Sequence, residues 1–240
     1  MRKKGLLVIL ILSAAAFLAS AGILVHYWLQ DRSDARVRGE VAALRPTDGA
    51  VDDAFTDLLA ANPDTIGWLR VEGTDIDDVV MQAPYEKDKY LHLDFNGNYS
   101  VRGTYYLAEE CDVTTSDNLI IYGHHMKDGT MFGELANYQD AAYAAQHPTI
   151  RFHTLYTDHT YEVVAAIPTQ VLPDWSTAFK YYEYTGSDET VFQQYCAFIE
   201  ANRLYDTGVT LSPGDRLLTL STCSYHTTDG RFIVVARQVD

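Results

Sequence analysis

Thr219-Leu-Ser-Thr-Cys-Ser-Tyr-His-Thr-Thr-Asp-Gly-Arg231 overlaps one apolar run, Arg216-Leu-Leu-Thr-Leu220, and leads into another, Phe232-Ile-Val-Val-Ala236. The two runs have the length and residue types of buried strands. The Thr227-Thr-Asp-Gly230 cluster between them has turn composition. The spacing predicts a hairpin, with Cys223 closing one strand and Arg231 opening the next. Side chains at strand ends on a sheet rim are well placed for chemistry. A Cys nucleophile attacking an amide needs a nearby His to move protons and a cation or N–H to hold the oxyanion. The chain offers His124 at the end of another apolar run, Ile120-Ile-Tyr-Gly-His-His-Met126. A Cys–His–Arg acyl-transfer site is therefore expected from Cys223, His124 and Arg231. A buried core thiol is the bland alternative. Cys223 sits among hydroxyls at a strand end, which suits a reactive thiol better.

The motifs carry a resemblance. Thr219-Leu-Ser-Thr-Cys223 with Arg231 is similar to the active-site signature of sortases. Asn118-Leu-Ile-Ile-Tyr-Gly-His-His-Met-Lys-Asp-Gly-Thr-Met-Phe-Gly133 resembles the class B form of their histidine segment. The likeness runs from near Asn62 to the C-terminus. It implies a mainly β (α+β) fold, an eight-stranded barrel with inserted helices, including one near 188–203 ahead of the Cys strand. It implies a membrane-anchored cysteine transpeptidase of a Gram-positive cell surface, in the cysteine peptide-hydrolase class. Such an enzyme would cut an Asn-Pro-x-Thr-like C-terminal sorting signal of secreted proteins and hold the acyl group as a thioester on Cys223. It would then pass that group to an amine of a peptidoglycan precursor or cross-bridge. The resemblance gives His124 the proton transfers and Arg231 the carbonyl oxygen, with Ser221 and Thr222 beside the substrate. It calls for no cofactor and no metal. Two other readings share the motifs: a pilin-polymerising enzyme with a lysine acceptor, and a catalytically idle surface-binding module.

Composition narrows the classes. With 240 residues the chain has room for one membrane segment and one domain. Its 17 tyrosines suit a β-rich fold. The formal net charge is −15; Arg2, Lys3 and Lys4 are the only charges before Asp31, so without those three cations the remainder stands at −18. Nucleic-acid binding needs a basic footprint and is not expected. Three cysteines, Cys111, Cys196 and Cys223, are too few for a disulfide framework, and no Cys-x-x-Cys is present. Cys196 falls in a helical pattern and Cys111 in a loop; a bridge between them stays open.

Residues 1–4 read as a cytoplasmic positive segment. Residues 5–29 read as a single-pass signal anchor, with Tyr27 and Trp28 at its outer interface. The positive-inside rule then places the N-terminus in the cytoplasm and the rest outside. A cleaved signal peptide is the rival, since Ala19-Ser20-Ala21 resembles a cleavage site. Residues 30–49 read as a stalk and 50–240 as the catalytic domain. Helices are expected at Val51–Ala61, Met131–Gln146 and from a cap at Ser187 onward. Strands are expected at Thr65–Val71, Ile76–Met81, Tyr90–Phe95, Gly103–Ala108, Leu119–Tyr122, Ile150–Tyr156, Thr160–Ile167, Arg216–Leu220 and Phe232–Arg237. Asn62-Pro-Asp-Thr65 looks like a sorting motif but reads as a turn entering a strand. His124 and His125 are adjacent, so strand alternation lets only one face Cys223. Alternation does not say which; the resemblance selects His124.

Overall fold

The computed structural model describes residues 2–47, 54–186 and 188–240. Strands β1 (Thr65–Val71), β2 (Asp77–Met81), β3 (Tyr105–Leu107), β4 (Asn118–Tyr122), β5 (Thr149–Thr154), β6 (Asp158–Gln170), β7 (Leu217–Cys223) and β8 (Gly230–Gln238) close into a barrel in the order β1-β2-β3-β4-β7-β8-β6-β5. Two neighbouring pairs, β2–β3 and β4–β7, are parallel, and the others are antiparallel. Closure removes the sheet edges.

The apolar runs that end the chain are buried on both faces. On β8, Phe232, Val234 and Ala236 join the barrel core, whereas Ile233 and Val235 pack outward. Outside them lies helix α4 (Glu189–Asn202), which contributes Phe192, Tyr195 and Ile199. Each side chain of this size, fully buried, stabilises the fold by about 1.5–3 kcal/mol. The cap of α4 is Asp188, whose carboxylate accepts from the amides of Thr190 and Val191. The expected cap, Ser187, lies outside the described residues.

At the other flank, helix α1 runs from Arg2 to Ala42 without a break. Residues 5–29 are long and apolar enough to cross a membrane, and their side chains are almost all exposed. The segment expected to be a stalk continues the same helix as far as Ala42. Asp34, Val37 and Val41 fall on one helical face and are buried, the two valines against Trp68, Val79 and Phe95. Residues 48 and 49 of that segment, and 51–53 of the next expected helix, lie outside the described residues; the observed helix α2 is Thr56–Ala61.

Three expectations are corrected. Tyr90–Phe95 is not a strand: the segment makes a 3₁₀ turn at Lys89–Leu91 and then a loop. The Asp94 carboxylate takes the amides of Asn96 and Asn98, which gives the backbone an alternative to a ladder. Met131–Gln146 is not one helix but a 3₁₀ segment, Phe132–Gln139, followed by α3 (Ala141–Gln146), because Asp140 caps the amide of Ala142 and restarts it. The β5–β6 turn falls at 155–157 rather than 157–159. There the Thr154 hydroxyl accepts from the amides of Tyr156 and Thr157, while Asp158 and His159 pair within the ladder. The Asn62 segment is a turn, as expected: the Asn62 carboxamide accepts from the Asp64 amide and donates to the Phe95 carbonyl.

Candidate active site

Cys223 and Arg231 are register partners in the β7–β8 ladder, so the hairpin places them side by side on one face. The tip that joins them closes tightly. The Ser224 amide donates to the Gly230 carbonyl, and a Cβ on Gly230 would lie 2.2 Å from the Ser224 oxygen. Only glycine fits there. The Val171 amide donates to the Asp229 carbonyl at 2.9 Å, tying the tip to the end of β6.

Parallel pairing of β4 with β7 brings the third group. Tyr122 pairs with Ser221, and beyond the strand end the Gly123 amide still donates to the Ser221 carbonyl. The Thr222 hydroxyl returns a bond to the Gly123 carbonyl at 2.7 Å. One residue further on, His124 enters the same pocket as Cys223. Gly123 is required for packing: a Cβ there would lie 2.7 Å from the Tyr105 ring and 2.8 Å from that of Phe132, which stack on each other.

His124 and His125 part company beyond the end of β4. His124 lines a pocket of about 360 Å³ together with Cys223 and Arg231. His125 is absent from that lining; its backbone bridges Met131 and its ring meets Tyr225 edge-on. The Nε2 of His124 lies 2.7 Å from the Leu91 carbonyl oxygen. A carbonyl only accepts, so Nε2 carries the proton and Nδ1 keeps the free lone pair in the neutral ring. Burial pushes the His124 imidazole below its ordinary value; the Leu91 bond opposes this, and the neighbouring His92 adds to it.

The remaining walls were not foreseen from sequence. Tyr181 and Tyr182 come from the connection between β6 and β7; Tyr106, Tyr122 and Leu91 come from the other side. Tyr181 shares a hydrogen bond with the Ser221 hydroxyl at 2.9 Å, and Tyr182 clamps both backbone groups of Leu172. Ser221 and Thr222 line the pocket, but both are buried and their hydroxyls are engaged with Tyr181 and Gly123. Asp88, Glu109 and Glu110 sit on the pocket wall as well, with Lys87 among them. The crowding of tyrosines at Lys180-Tyr-Tyr-Glu-Tyr184 is the only sequence signal that pointed to this region.

The other thiols stand apart. Cys111 is buried, accepts from the Ile120 amide, and is pushed up to about 12 by burial. Cys196 is half-buried on α4, and none of the three cysteines is paired. His226 is exposed and bonds the Ser224 hydroxyl, and Asp229 is not in the pocket lining. Among the described residues no group of His, Cys, Asp or Glu is arranged to hold a metal ion.

An imidazole, a cysteine sulfur and a guanidinium around one pocket can transfer an acyl group. Comparison with known proteins agrees with that chemistry. The family model for the sortase domain matches residues 69–239. Sortase B of Listeria monocytogenes is 33% identical over 183 residues, which cover 76% of this chain and 72% of that protein. The crystal structure of a mutant form of Clostridium perfringens sortase B superposes with a TM-score of 0.76 at 26% identity, covering 86% of this chain and 98% of that one. A Staphylococcus aureus sortase B–substrate complex superposes with a TM-score of 0.72 at 25% identity, covering 88% and 94%.

Proposed function

The chain belongs to the sortase family, in its class B, and is a sortase transpeptidase; on that premise we propose that Cys223, His124 and Arg231 carry out the transfer. His124 takes the Cys223 thiol proton on Nδ1 as the sulfur attacks the carbonyl of a sorting signal, and the tetrahedral oxyanion collapses to a thioester as the amine leaves. His124 delivers that same proton from Nδ1 to the leaving amine. It then takes a proton from the incoming amine through Nδ1, the nitrogen left free by the Leu91 bond. Arg231 remains charged throughout and binds the carbonyl oxygen. Ser221 and Thr222 border the bound peptide, while their hydroxyls keep Tyr181 and the Gly123 turn in place.

The observation that carries this reading is the meeting of two ladders. β7–β8 pairs Cys223 with Arg231, and β4–β7 brings His124 into the same pocket. We assign an Asn-Pro-x-Thr-like signal on secreted proteins as the acyl donor and a peptidoglycan amine as the acceptor. Residues 5–29 form the anchor, with the N-terminus in the cytoplasm and the barrel outside. The test is incubation of the enzyme with fluorogenic sorting peptides, with and without amines, and identification of products by mass. A ligated product with a cross-bridge amine is expected. Ligation to a pilin lysine peptide alone would move the acceptor to the pilin class, and no cleavage of any peptide would remove the assignment.

A further inference from the structure

The N-terminal helix reaches the His124 loop through one guanidinium. Arg102 projects from the loop before β3, and only 12% of its side chain is exposed. Its partners come from two other segments. One is Asp31 on α1, two residues beyond Leu29. The others are Asp128, at 2.8 Å, and the Thr130 hydroxyl, both in the loop that follows His124-His125. Asp128 also accepts from the Thr130 amide and hydroxyl, so the His loop is closed on itself at the point where Arg102 grips it. The Arg102 guanidinium holds the Asp128 carboxyl well below the usual carboxylate range.

A second thread runs parallel to the first. Buried Asp34 on α1 accepts from the Ser100 hydroxyl at 2.9 Å, and that hydroxyl accepts from the amides of Arg102 and Gly103. Gly103 lies so close to Leu91 that a Cβ would stand 2.4 Å from the Leu91 carbonyl oxygen. That oxygen is the one that receives the His124 Nε2 proton. So the loop after His124 is bonded to a segment that α1 holds, and the carbonyl that accepts from its ring packs against that same segment. None of Asp31, Asp34, Arg102 or Asp128 lines the Cys223 pocket.

We propose that Arg102, clamped by Asp31, is a positioning residue, and that docking of α1 through Asp31–Arg102–Asp128 sets the orientation of His124. The helix assigned as the anchor is then part of the catalytic unit. The inference rests on the assignment of His124 to proton transfer. Asp31 and Asp128 are 59% and 48% exposed, and an ion pair exposed at both ends would contribute little. The Arg102 end is mostly buried and joins three segments with a planar fork, which a lysine ammonium does not reproduce. A displacement of about 1 Å in a catalytic group is enough to lower a rate by about 10²-fold.

The experiment uses the full chain in detergent micelles, with Asp31→Asn, Asp31→Glu and Arg102→Gln. Three quantities are read: kcat and KM on a cleaved sorting peptide, the melting temperature, and amide hydrogen exchange over 124–131. Asp31→Asn and Arg102→Gln are expected to lower kcat at least fivefold with KM within twofold and exchange over 124–131 raised. Asp31→Glu restores most of the rate. Unchanged kcat in both variants, or a loss that merely follows the unfolded fraction, overturns the clamp. If the wild type transfers nothing, the transpeptidase assignment fails by itself. Exchange over 124–131 then decides the clamp: protection equal to wild type in Asp31→Asn overturns it.

Discussion

The carbonyl oxygen of Leu91 accepts from Nε2 of His124, so in the neutral ring Nδ1 is the nitrogen left for the base role proposed for it toward Cys223, and burial disfavours the charged ring. A histidine held neutral by burial gains its proton only at lower pH. Its NMR titration midpoint is expected below 6.5, the ordinary value, and amine-dependent turnover that needs the neutral ring should fail only as pH drops through that midpoint. A midpoint above 6.5 would contradict the desolvated setting. His124→Ala should lose transpeptidation by about 10²–10⁴-fold, the usual worth of a general acid–base group. His125→Asn, whose ring faces Tyr225, should stay near wild type; the reverse pattern in turnover would exchange the two assignments. Cys223→Ala should abolish thioester capture, while Cys196→Ala keeps it, as read by mass of the acyl-enzyme. Arg231→Lys should fall substantially in kcat/KM, since an ammonium lacks the fork for two-point contact with a carbonyl.

Among the elements, α4 depends on a single carboxylate for its start. Asp188→Ala removes the acceptor for two amides and should cost about 1 kcal/mol. For a domain of this size that is a fall of roughly 2–4 °C in melting temperature, measurable by calorimetry, with peptide turnover unchanged. No shift would mean that packing of Phe192, Tyr195 and Ile199 alone holds the helix. The strands that carry the site were legible in sequence because both of their faces are apolar, which leaves no ambiguity about burial. Cys223 and Arg231 were legible as neighbours because the hairpin pairs them, whereas the choice of His124 over His125 rested on the resemblance. Leu91, Tyr181 and Tyr182 were not. They act through a backbone carbonyl or from irregular connections, where no periodicity marks a contact. The Tyr90–Phe95 segment misled because its composition suits a strand, while the side chain of Asp94 captures the amides a ladder would need. Docking of α1 was hidden because its buried face is narrow, two valines and an aspartate among charges.

For the whole molecule, the proposed order of anchor, helix and barrel would set its topology. Protease added to intact protoplasts should degrade the barrel and spare a tag placed before Arg2; release of a soluble product beginning near Gly22 would show cleavage of a signal peptide instead. With residues 5–29 in the bilayer, the unbroken α1 acts as a strut. At about 1.5 Å of rise per residue, Asp31, the first residue that grips the barrel, stands roughly 3 Å beyond Leu29. A flexible tether of 20 residues would let the site roam a radius of about 25 Å. The strut confines it to a thin layer at a fixed height and turns it only as the anchor turns. Encounters in that layer are two-dimensional, so turnover should follow the number of acceptors per unit of membrane area rather than per unit of volume.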